Sequence, residues 1–138
     1  MTLGPAPAGQ VTLSPEGAIS GRVTEQTVGQ RAVGERSLKR RLSDPDYNRA
    51  IENWIARGAT GAKATKISPN DDHAEGRFTL DVDFSADSYA QIMQNRLMVF
   101  KPAIIGRLDR LSFTEGKRQN PFVIDAEMYQ ETVKIKLP

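Results

Sequence analysis

The chain has 138 residues, a formal net charge of +2 and no cysteine. That length suits one domain with a real core, burying about two-thirds of the surface its unfolded form exposes. The missing cysteine excludes disulfides, thiolate nucleophiles, zinc ribbons and iron–sulfur clusters, and so small a net charge gives no ground for binding nucleic acid.

Apolar residues make up 38% and charged residues 26%, which is globular rather than disordered composition. No apolar run approaches the roughly 20 residues needed to span a bilayer. Residues 1–10 are rich in Pro, Ala and Gly, with neither a basic start nor an apolar stretch. They are expected to be a flexible linker or edge rather than a signal peptide. Residues 11–138 are then a single domain. Charge is uneven within it. Residues 31–66 carry nine Lys or Arg against four Asp or Glu, and residues 67–138 carry nine against eleven. The first stretch predicts a basic face.

Val11 to Leu13 alternates into a turn at Ser14-Pro-Glu-Gly17, and Ala18 to Val28 follows as an extended segment with Ile19, Gly21 and Val23 on one face. This is an opening hairpin. From Gln30 to Leu42 the period becomes helical, with Ala32, Leu38 and Leu42 spaced loosely and Gly34 as a weak point. A second helix is clearer. Ser43 or Asp44 suits its cap, Pro45 its first turn and Asp46 the positive end of its dipole. Tyr47, Ala50, Ile51, Trp54 and Ile55 form one apolar stripe that should pack on a sheet. Arg57 favours the last turn, and Gly58 is expected to supply a left-handed stop.

After that helix the pattern turns β. Ala62 to Ile67 is a short strand, and Ser68 to Gly76 reads as a loop. Phe78, Leu80, Val82 and Phe84 then alternate with polar residues, as a strand with one wet face does. Tyr89 to Met93 and Arg96 to Phe100 flank a tight turn at Gln94-Asn95. Pro102 marks the end of that strand or a sheet edge. Leu108 to Phe113 is a weaker strand and Thr114 to Asn120 a polar turn. Val133, Ile135 and Leu137 close the chain by alternation. The order predicts a β-rich α+β fold: a mostly antiparallel sheet or sandwich, with one or two helices inserted after the first hairpin.

Few residues carry chemistry. His73 is the sole histidine, in Asn70-Asp-Asp-His-Ala-Glu75. That run lacks the oxygen spacing of a calcium loop and the ligands of a zinc site, so no metal or cofactor is expected. No Gly-x-Ser-x-Gly elbow or phosphate-binding glycine loop is present. Asp81 and Asp83 share one face of a strand, where paired acids more often guard a solvated surface than catalyse. Arg36, Lys39, Arg40 and Arg41 form a basic run, with Arg36 and Arg40 on one helix side. No interleaved aromatics accompany it, so a solvated face is expected rather than a nucleic-acid site. No catalytic residue is assigned.

Several segments in order carry a resemblance. Ser43-Asp-Pro-Asp-Tyr47 leads into Ile51-Glu-Asn-Trp54-Ile55-Ala-Arg-Gly58-Ala59. Phe78-Thr-Leu-Asp-Val-Asp-Phe84 leads into Tyr89-Ala-Gln91. Then come Leu97-Met-Val-Phe100-Lys-Pro-Ala103, Arg118-Gln-Asn-Pro121 and Glu131-Thr-Val-Lys-Ile-Lys-Leu137-Pro138. Over residues 11–138 the chain resembles the C-terminal accessory region, a domain of unknown function, of bacterial transglutaminase-like proteins and cysteine proteases. The family's catalytic Cys, His and Asp belong to the core domain, and none is carried over to this chain. The resemblance implies one accessory domain of a longer, periplasmic or otherwise exported protein, with a further β segment after Pro138. Its implied partner is the neighbouring transglutaminase-like core, with no nucleic acid and no membrane span. The expected function is therefore non-catalytic, structural or interactive. The alternative is a module that binds an envelope glycan or peptide. Met98, Phe122, Tyr129, Arg36 and Arg40 are the residues expected to form an interaction surface.

Overall fold

The computed structural model describes residues 8–105 and 130–138. Its elements are β1 (Ala8–Leu13), β2 (Ile19–Val28), α1 (Gly29–Arg41), α2 (Asp44–Gly58), β3 (Lys63–Asp72), β4 (Arg77–Ala86), β5 (Gln91–Met93), β6 (Leu97–Val99) and β7 (Thr132–Lys136). Five strands form one sheet in the order β3-β4-β2-β1-β7, and β5 and β6 form a separate two-stranded ribbon. All pairs are antiparallel except β1 with β7, which is parallel, so the main sheet is mixed. The architecture is a β-rich α+β fold.

Register puts the apolar alternants on one face. Val23 of β2 stands opposite Val82 of β4, which stands opposite Ile67 of β3. Val11 of β1 stands opposite Ile135 of β7. Phe78, Leu80, Val82, Phe84 and Ala86 of β4 are all buried on this face. The intervening residues Arg77, Thr79, Asp81, Asp83 and Ser85 form the other, polar face. β4 thus has the strict period of two that one buried face requires.

α2 lays its stripe against this core. Tyr47, Ile51 and Ile55 are buried, and Trp54 packs partly against them. Its start is built as the sequence predicts. Ser43 Oγ accepts the Asp46 N–H at 3.3 Å and donates to Asp46 Oδ2 at 2.7 Å, with Pro45 in the first turn. α1 is nearly all polar and buries only Ala32, with Leu38 and Leu42 half-buried against the core. Gly34 does not interrupt it.

Three boundaries differ from the sequence reading. β1 starts at Ala8, so residues 8–10 belong to the sheet and not to a linker. β3 runs on to Asp72, which pairs with Arg77, so most of the expected 68–76 loop is strand. β3 lacks visible alternation because, among the described residues, it is an edge strand, with a register irregularity between Ala64 and Lys66. Gly58 is the last residue of α2, and the cap is Ala59 with φ −123°. The glycine is needed for close approach instead: a Cβ there would lie 1.4 Å from the Ile104 carbonyl oxygen. Gly17, by contrast, does take a left-handed φ of +89° in the first turn. The strand expected over Leu108 to Phe113 and the turn over Thr114 to Asn120 lie outside the described residues.

Candidate functional site

The acidic run around His73 forms an ordinary turn. Asp72 Oδ1 accepts the N–H groups of Ala74 and Glu75, each at 3.1 Å. That is the local bonding by which Asp shapes a turn. His73 is 80% exposed, with Nδ1 3.2 Å from Asp71 Oδ2. Asp71 Oδ1 in turn accepts the Arg36 Nε–H at 2.6 Å. Among the described residues, no group of three or more His, Asp or Glu could hold a metal ion.

The Arg36–Asp71 pair ties α1 to the end of β3, and the Arg36 side chain is only 15% exposed. Arg40 stays in solvent, its Nε–H reaching the Arg36 carbonyl at 3.4 Å. The two arginines expected to share a face therefore have different roles. Helical spacing placed them one turn apart, but Asp71 arrives from β3, 35 residues later.

Asp81 and Asp83 lie on the polar face of the sheet. Arg22 donates Nε–H and Nη2–H to Asp83 at 2.6 and 2.9 Å, and the Thr24 hydroxyl donates to Asp81 at 2.5 Å. The hydrogen bonds and charge of Arg22 hold the Asp83 carboxyl below its ordinary range. A general acid needs a shift in the opposite direction. Tyr47 also departs from ordinary behaviour. Burial, with the charges of Glu35 and Glu25, pushes its phenol up to about 12.

The expected apolar contact residues divide. Met98 is half-buried and packs against the core, while Phe122 and Tyr129 lie outside the described residues. Beside Val28, Val33 and Leu137, the exposed large apolar residues among those described are neighbours of Met98. Ile92, Met93, Leu97 and Val99 are 39%, 52%, 56% and 46% exposed. All four belong to the β5–β6 ribbon, whose turn places Gln94 and Asn95 at φ 50° and 52°. The ribbon is braced at its base. The Gly17 carbonyl accepts the N–H groups of Tyr89 and Ala90 at 3.0 and 2.9 Å, and the Tyr89 hydroxyl donates to the Lys101 carbonyl. The turn at Gln94-Asn95 was the available signal. Among the described residues this hairpin of mostly apolar residues pairs with no third strand, which leaves apolar side chains exposed.

A second surface is a shallow groove of about 320 Å³ between α2 and β3. Asn48, Arg49 and Glu52 form one wall, and residues 64–67 the other. A third lies on the polar sheet face around Gln10, Ser20, Arg22 and Asp83. Among the described residues, no helix is long and apolar enough to cross a membrane.

Among the described residues these features define a β-rich α+β fold with an exposed apolar ribbon and two shallow grooves. Comparison of the chain with family models, curated proteins and solved structures returns no match.

Proposed function

We propose that this chain is a non-catalytic structural and interaction domain accompanying a transglutaminase-like core in an exported protein, and that the β5–β6 ribbon meets that core. The observation carrying this reading is the exposed apolar face that Met93, Leu97 and Val99 share, with Ile92 exposed on the face it shares with Met98. Apolar residues scattered singly over a surface need no explanation, whereas a contiguous cluster marks a place of contact. The bracing at Gly17 and Tyr89 supports it further, because a ribbon held at its base meets a partner with little ordering cost. Inter-domain surfaces of about 600–1,500 Å² are usual, so the ribbon would be the apolar centre of a larger, more polar contact.

The test is an NMR titration of the isotope-labelled chain with a separately produced transglutaminase-like core. Shift changes are expected over residues 89–100. The double variant Met93→Lys/Leu97→Lys should abolish them and keep the thermal midpoint, since both side chains are more than half exposed. An unchanged spectrum at high core concentration, or equal binding by the double variant, would remove docking through the ribbon.

A further inference from the structure

The polar face of the sheet is sorted by charge along the strand direction. Register stacks one residue from each strand into a row across the sheet. One row is Lys63, Ser85, Ser20, Thr12 and Lys136, and the next is Lys66, Asp83, Arg22, Gln10 and Lys134. These two rows hold five cations and one carboxylate. The strands of the other half of the face hold Arg77 against Asp72 and Asp81. Glu16 and Asp87, in the turns beyond the two rows, still leave five cations against three carboxylates. A solvated face is ordinary for such a sheet, but this sorting gathers positive potential over one half of it.

The side chains of this half are available. Asp83 spends both carboxylate oxygens on Arg22. Among the described residues, none of the four lysines forms an ion pair. All four are exposed, as are Gln10, Thr12, Ser20 and Arg22. Two lysines stand on β3 and two on β7, four strand spacings apart, roughly 19 Å. Between them runs a trough of about 580 Å³ lined with hydroxyl, amide and guanidinium groups, those of Ser20, Ser85, Thr65, Gln10 and Arg22 among them. That volume lies in the range usual for ligand sites, about 300–1,000 Å³.

The lining selects the occupant. The two rows contain no aromatic side chain, so nucleic-acid bases have nothing to stack on. The trough crosses β1, β2 and β4, each paired on both sides, so an extended peptide has no strand edge to join there. A sugar chain needs neither. Its hydroxyls match the short polar side chains of the trough, and acidic groups along it match the lysines at both ends. An uncharged sugar would lack apolar or aromatic surface to cover. We infer that this half of the polar sheet face binds an acidic oligosaccharide laid across the strands, its carboxylate or sulfate groups on Lys63, Lys66, Lys134 and Lys136. The face is separate from the β5–β6 ribbon, so docking there and sugar binding here can fail independently.

The experiment is an amide-shift NMR titration of the full chain with a galacturonate hexamer. A neutral glucose hexamer, a glutamate hexapeptide and a thymidine hexanucleotide serve as comparisons. The galacturonate hexamer should shift residues 10–12, 20–22, 83–85 and 134–136 saturably, and the neutral hexamer should not. Lys134→Glu/Lys136→Glu should bind at least about ten-fold more weakly, with an unchanged thermal midpoint because both side chains are exposed. Binding should weaken several-fold between about 0.05 and 0.5 M salt. Four results would each overturn the inference: no saturable shift in these segments at millimolar galacturonate hexamer, equal binding by the neutral hexamer, equal or tighter binding by the peptide or the nucleotide, or undiminished binding by the double variant.

Discussion

Gly58→Ala isolates a contact that helix propensity would misjudge. In an exposed helix, alanine is more favourable than glycine by about 1 kcal/mol. At Gly58 the added Cβ would meet the Ile104 carbonyl oxygen at 1.4 Å and its carbonyl carbon at 2.5 Å. Both atoms are backbone, so no side chain can rotate away. Moving the first contact from 1.4 Å to a practical floor of 3.0 Å requires a shift of ~1.6 Å. The segment that must move carries Ile104 and Ile105, which are 1% and 4% exposed. Full burial of such a side chain is worth about 1.5–3 kcal/mol. Partial loss of two of them, offset by the propensity gain, predicts a net destabilisation of roughly 2–4 kcal/mol. Urea unfolding followed by far-UV circular dichroism measures it. Gly34→Ala is the control. It is also helical, and its Cβ would meet nothing within 4 Å, so it should stabilise by about 0.5–1 kcal/mol. If Gly58→Ala is as stable as the parent chain, or gains like Gly34→Ala, then residues 104–105 do not pack on the end of α2 and the reasoning is wrong.

Removing the cap of α2 by Ser43→Ala should cost about 1 kcal/mol in the same unfolding assay, because the Asp46 N–H loses its acceptor; a neutral result would mean that water replaces the hydroxyl at no cost. The Asp83 carboxyl should titrate by NMR below its ordinary range, and Arg22→Ala should return it to that range. The sign follows from linkage. A carboxyl depressed in the folded state adds stability above its unfolded value, near 3.9, and that stability is lost as pH falls through the folded value. The stability of the Arg22→Ala chain should therefore depend less on pH in that acidic window.

Much of the fold was legible because periodicity reports burial. Phe78 to Phe84 alternates without a break, and β4 is buried on one side as that pattern demands. α2 was legible down to its cap, since Ser43, Pro45 and Asp46 are each selected by local chemistry at a helix start. β3 was only half legible. An edge strand with a bulge buries too little to alternate, so Ser68 to Asp72 looked like loop. Met98 looked like a contact residue and is half-buried, while its neighbours carry the exposed surface. Which side of a three-residue strand faces the core is decided by what lies beneath it, and three residues are too few for a period to show.

The sequence by itself determined the excluded chemistry, the helices, the best strand and the apolar stripe that joins them, because each depends on residue type or on neighbours within a few positions. Only the tertiary structure decided what depends on distant partners. The parallel pairing of β1 with β7 joins residues more than a hundred positions apart. Arg36 becomes a partly buried ion-pair partner only when Asp71 reaches it, and Gly58 becomes indispensable only when the Ile104 backbone lies against it. The groove between α2 and β3 likewise exists only where residues 64–67 come to lie beside Asn48, Arg49 and Glu52. Local preferences are written along the chain, whereas close approach between distant segments is set by the packing of the whole core.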